Sequence, residues 1–99
     1  MFLVRDIMYC KPGKARPMVD KFLAVAAISH KLGMGPVRVM TDVSAEQYWT
    51  VISEMEVSSL DALSDRATKA MADPDFQAAM AGYHDLVDHG RREIYAIET

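Results

Sequence analysis

Apolar positions along the chain recur at two periods, one near two residues and one near 3.6, and blocks of the two alternate. Residues 2–9 are dense in large apolar, β-branched and aromatic side chains, which predicts a strand, and Lys11-Pro12-Gly13 stops it. Residues 14–32 repeat at helical spacing. Ala15, Met18, Val19, Phe22, Leu23, Val25, Ala26 and Leu32 share one arc, with Asp20, Lys21 and Lys31 opposite. Gly33 and Gly35 end this helix, and Pro36 prevents its resumption. Residues 37–43 alternate, with Val37, Val39, Thr41 and Val43 on one side. After a turn at 44–46, residues 47–57 alternate again, which predicts an antiparallel hairpin. Trp49, Val51, Ser53, Met55 and Val57 share one face of this strand; Tyr48, Thr50, Ile52, Glu54 and Glu56 share the other. Ser58 or Ser59 caps the next helix, whose stripe is Leu60, Leu63, Ala67 and Met71. Asp73-Pro74 has the form of a fresh N-cap and first helical residue, so the helix breaks and resumes there. The second piece carries Phe76, Ala79, Met80, Tyr83, Leu86 and Val87 on its inner arc and stops at Gly90, and residues 91–98 form the last strand.

The order β-α-β-β-α-β over residues 1–99 predicts one α+β domain of ferredoxin-like plan: a four-stranded antiparallel sheet with two helices on one face. A solvated second face is polar at every other position. The first strand instead places Leu3, Ile7 and Tyr9 on one side and Phe2, Val4 and Met8 on the other. Apolar residues on both sides predict that a second copy of the chain covers the face the helices leave open, with two-fold symmetry.

Composition narrows the classes. A chain of 99 residues buries only about two thirds of its unfolded surface and gains from a partner. A net charge of −3 argues against nucleic-acid binding. The single cysteine, Cys10, excludes an internal disulfide and fits a reducing, cytoplasmic setting. The apolar run Phe22 to Ile28 is too short to span a membrane, and Arg5-Asp6 interrupts any signal-peptide core. Eight methionines supply flexible, polarizable filling for a core or an adaptable pocket.

The Trp49 strand, the helix restart Asp73-Pro74-Asp75-Phe76-Gln77 and the closing Arg92-Glu93-Ile94-Tyr95 together resemble the dimeric α+β barrel superfamily, and locally its NIPSNAP-like group. The superfamily also holds antibiotic-biosynthesis-type and haem-degrading monooxygenases and muconolactone isomerases. The resemblance implies a homodimer with a small-molecule pocket between sheet and helices in each subunit. It does not fix one chemistry. Haem-degrading members work with an Asn, a Trp and a His. Trp49 and His84 match two of these, but the chain contains no Asn, so cofactor-free oxygenation or isomerisation of a planar metabolite is the better match, with no cofactor expected.

Within that frame the candidate residues are few. His84 and His30 are the candidate acid–base groups. His84 lies beside Tyr83 and one turn after Met80, at the edge of an apolar arc; its plainer alternative is a half-exposed surface residue. His30 falls within the arc of the first helix; its alternative is a helix-end histidine favoured by the C-terminal dipole. Trp49, Tyr83 and Met80 are candidates to line the pocket, with Trp49 as a flat wall for a planar ligand or, alternatively, dimer packing. One of the charges Arg5, Asp6, Arg38 and Asp42 is expected to line a pocket or cross the dimer interface, with Arg5 as the pocket candidate, against ordinary surface pairing. Cys10 reads as structural, and the histidines lack metal-ligand spacing.

Overall fold

The computed structural model describes residues 1–99. Alternation and helical spacing produce the expected elements in the expected order. They are β1 (Phe2–Cys10), α1 (Ala15–Lys31), β2 (Arg38–Thr41), β3 (Thr50–Val57), α2 (Leu60–Ala72), α3 (Pro74–Met80), a 3₁₀ turn (Tyr83–Asp85) and β4 (Val87–Ala96). The strands form one antiparallel sheet in the order β2-β3-β1-β4, which is the ferredoxin-like arrangement. No helix is long and apolar enough to cross a membrane.

Helix boundaries follow capping chemistry. The end of α1 tightens as Gly33, at φ 72°, donates to the His30 carbonyl and Met34 donates to that of Ser29. The Ser59 hydroxyl caps α2 by accepting from Ala62 N–H. Asp73 then accepts from the N–H groups of Asp75 and Phe76, so the break before Pro74 is a true restart. Lys21 on α1 donates to the Ala79 and Ala81 carbonyls, tying the end of α3 to α1.

The core is small and lies under α1. Met18, Val19 and Phe22 pack on Cys10 and Val51, with Met8, Val39 and Met80 at the margin. Neither α2 nor α3 has a single buried residue, although both carry the predicted apolar stripe.

Three boundaries differ from the sequence reading. Trp49 is not mid-strand, because β3 begins at Thr50. Trp49 sits at φ 61°, which breaks the extended run, while Asp42 Oδ1 accepts from Thr50 N–H at 2.9 Å and Thr50 Oγ1 donates to the Gln47 carbonyl at 2.8 Å. The last helix does not reach Gly90. It ends at Met80, Gly82 at φ 78° redirects the chain, and β4 starts at Val87. His84 therefore sits in the 3₁₀ turn and His89 in a strand. Gly90 lies in β4 for a steric reason: a Cβ there would stand 2.9 Å from Met8 Sδ and 3.0 Å from the Ile7 carbonyl oxygen.

The face away from the helices is not the continuous apolar surface that the strand pattern predicts. Leu3, Ile7 and Tyr9 are there, but strand alternation puts Arg5 among them. Register then aligns Arg38, Glu54, Arg5 and Glu93 in one row across all four strands, alternating in sign. Glu54 Oε2 accepts from Arg5 Nε and Oε1 from Arg38 Nη2, each at 2.7 Å, and Arg5 lies 3.8 Å from Glu93. Arg91 extends the row at 3.1 Å from Glu93. Aromatic rings flank these cations: Arg5 lies over Tyr95, and Arg91 over Tyr9.

Glu54 is 5% exposed. Burial alone would raise its pKa, but the hydrogen bonds and charges of Arg5 and Arg38 outweigh burial and hold the carboxyl below the usual carboxylate range. A carboxylate depressed in the folded state stabilises the fold above its unfolded pKa of about 4.3, and that contribution is lost as pH falls through the lowered value. Glu54→Gln is expected to cost about 1–2 kcal/mol at pH 7, discounted because Arg38 can turn to solvent. Urea unfolding of both proteins from pH 7 to pH 3 checks this. The gap closes in acid if the charge carries the effect, and a gap constant over the whole range contradicts it.

Candidate functional site

Leu63, Ala67 and Met71 of the α2 stripe and Phe76 and Met80 of α3 face a cavity rather than a packed core, while Leu60 at the start of α2 is exposed outside it. Its volume is about 710 Å³. Met8 of β1 and Ser53 and Met55 of β3 form the floor; Phe22, Val25 and Ser29 of α1 form one wall. Leu63, Ala67, Ala70 and Met71 of α2 and Phe76 and Met80 of α3 form the roof, and Tyr83 and His84 stand at one end. Five of the lining residues are methionines (Met8, Met34, Met55, Met71 and Met80). Such a wall adapts to a ligand's outline at low cost.

Polar groups on this wall are few and specific. Asp6 and Arg92, cross-strand partners on β1 and β4, form a two-pronged pair, with Arg92 Nε 2.7 Å from Oδ1 and Nη2 3.1 Å from Oδ2. The Asp6 hydrogen bond raises the Arg92 pKa against partial burial, which lowers it. Arg66 of α2 reaches down to the sheet, where Nη1 donates to the Glu56 carbonyl at 3.3 Å. The rings of Tyr83 and His84 lie 3.9 Å apart, tilted by 34°.

Of the residues singled out from the sequence, His84, Tyr83 and Met80 are brought together on the cavity wall, with His84 exposed to solvent as its plainer alternative had it. The other site candidates lie elsewhere. His30 is exposed in the last turn of α1, while its neighbour Ser29 points inward and lines the cavity. Trp49 lines a separate surface groove with Tyr48, Thr41, Asp42, Ala15, Arg16 and Val19. Its position before β3 turns it toward the start of α1, so it offers no wall to the cavity. Arg5 is on the opposite face of the sheet, committed to Glu54. His89 is on that face too, its ring centroid 4.6 Å from that of Tyr9. Burial, with the nearby Asp42 carboxylate adding to it, pushes the Cys10 thiol pKa up, which suits a structural role.

Ser53, Arg66, Gln77 and Arg92 line the cavity and were not among those candidates, while Asp6, one of the charges named alongside Arg5, does line it. Arg66 had a signal: it sits three residues after Leu63 and next to Ala67 on the same helical stripe. Arg92, and its pairing with Asp6, had none that precedes knowledge of the strand register.

No family model and no curated protein matches the chain. Solved structures do match its fold. A NIPSNAP-like domain protein from Burkholderia xenovorans superimposes with a TM-score of 0.82 at 14% identity, covering 99% of this chain and 85% of that one. A NIPSNAP family protein of unknown function from Agrobacterium tumefaciens gives 0.79 at 19% identity, covering 96% and 86%. A second NIPSNAP family protein from the same organism gives 0.78 at 18% identity, covering 96% and 90%. The chain thus has the NIPSNAP-like, ferredoxin-like α+β fold.

Proposed function

We propose that the chain is a homodimeric protein that holds a small, planar, largely apolar molecule in the cavity beneath α2 and α3. The observation that carries this reading is the pair of amphipathic helices with no buried residue, whose stripes look onto about 710 Å³ of space. That volume falls within the range of small-molecule sites, about 300–1,000 Å³. The chemistry that fits is proton transfer by His84, in a cofactor-independent isomerisation or oxygenation of the bound molecule. An imidazole can take and return a proton near neutral pH, and Tyr83 stacks beside it. A non-catalytic ligand carrier is the second reading. It is favoured by the absence of a hydrogen-bonded carboxylate or carbonyl behind His84, the usual means of orienting a catalytic imidazole.

The neutral dye N-phenyl-1-naphthylamine tests occupancy. Its emission is expected to rise and shift to the blue on addition of protein. Ala70→Phe, which fills the cavity from α2, is expected to weaken binding by about tenfold or more, a loss of about 1.4 kcal/mol or greater. Unchanged dye binding by Ala70→Phe overturns the cavity as the site.

The homodimer rests on the open face. Leu3, Ile52 and Met40 remain only partly covered on the open face, and Tyr95 is exposed at its edge. Sedimentation velocity at micromolar concentration is expected to give twice the 11.0 kDa chain mass. A species of single-chain mass up to 100 μM, an order-of-magnitude ceiling for a stable pair, contradicts the dimer.

A further inference from the structure

The cavity wall carries two arginines, and their charges stand in different positions. Arg92 is spent: both prongs of its guanidinium are on Asp6. Arg66 has no carboxylate within ion-pair distance. Its Nη1 meets the neutral Glu56 carbonyl at 3.3 Å and the Met55 sulfur at 3.9 Å. A guanidinium carries five N–H donors in a planar fork, so these contacts anchor one nitrogen and leave the rest of the fork without an acceptor. Gly35 sits beside the free edge, with Nη2 about 3.6 Å from where a Cβ would stand. That side is therefore clear of side-chain bulk.

We infer that the ligand is an amphipathic organic anion, a carboxylate on an apolar and in part planar body, with its charged end on Arg66 and its body against the methionine-lined wall. The inference rests on the cavity being the ligand site and adds the ligand's charge. The geometry favours an anion because the site's positive charge is fixed by contacts at Met55 and Glu56 before any ligand arrives. The surrounding wall is apolar, where a charge-assisted hydrogen bond counts for more than in water. A cationic ligand would find only Asp6, which is already occupied by Arg92.

The test compares 2-naphthoate with 2-naphthamide, which has nearly the same shape and no charge, by calorimetry on the full chain. The expected result is naphthoate binding about tenfold or more tighter than naphthamide, in line with one charge-assisted hydrogen bond. Arg66→Gln is expected to remove that preference, so that the two compounds bind the variant with equal affinity whatever the change in that common affinity. Arg66→Lys is expected to restore part of the preference. Equal affinities in the unmodified protein, or a preference that survives Arg66→Gln, overturn the anion assignment and leave the cavity reading standing. Failure of both compounds to bind overturns the two together.

Discussion

The row Arg38–Glu54–Arg5–Glu93 decides which side of the sheet does what. In a β-sheet a slip of one residue turns every side chain to the other face. Each member of this row lies opposite its partner on the neighbouring strand, so a slipped strand leaves an unpaired charge beside the buried Glu54. Such a charge costs far more than an exposed pair gains. The row therefore fixes the register from β2 through to β4. Once that register is set, Met8, Asp6, Ser53, Met55 and Arg92 can only face the helices. The chemistry of the cavity follows from a set of ion pairs on the opposite surface.

The helices divide the remaining work unequally. Met18, Val19 and Phe22 of α1 close the core against β1 and β3. The restart at Asp73 splits the second helical segment into α2 and α3, and these bridge over the sheet instead of lying on it. Arg66 acts as a strut, since its stem crosses the gap and its head rests on the end of β3. Lys21 holds the far side by gripping the end of α3. An apolar roof kept off its floor by polar props is costly unless something fills the gap. That is the energetic reason to expect an apolar ligand body there.

Much of this was legible in the chain and some was not. The element order, the helix break at Asp73-Pro74 and the stop at Gly33 follow from periodicity and capping, which are local. Met80 lies on the expected helical arc, whereas Tyr83 and His84 reach the same wall from a 3₁₀ turn, because the helix expected to carry them ends at Met80. Trp49 misled because its residue type suits a strand, while its backbone was decided by Asp42 and Gln47 closing the hairpin around Thr50. The open face misled for a related reason. Counting apolar residues in β1 passed over Arg5, whose partners Glu54 and Glu93 lie 49 and 88 positions away and become neighbours only through the sheet. The pairing of Asp6 with Arg92 escaped for the same cause, at a separation of 86.

The eight methionines offer a direct reading of the central claim, that the ligand lies between the sheet and the α2–α3 roof. Met8, Met34, Met55, Met71 and Met80 line the cavity; Met40 is on the open face and Met1 at the chain start. With ¹³C-methyl methionine and two-dimensional NMR, titration with N-phenyl-1-naphthylamine is predicted to shift the methyl signals of those five and leave Met1 and Met40 in place. Shifts centred on Met40, or no shift in the five while the dye still binds, would contradict the account.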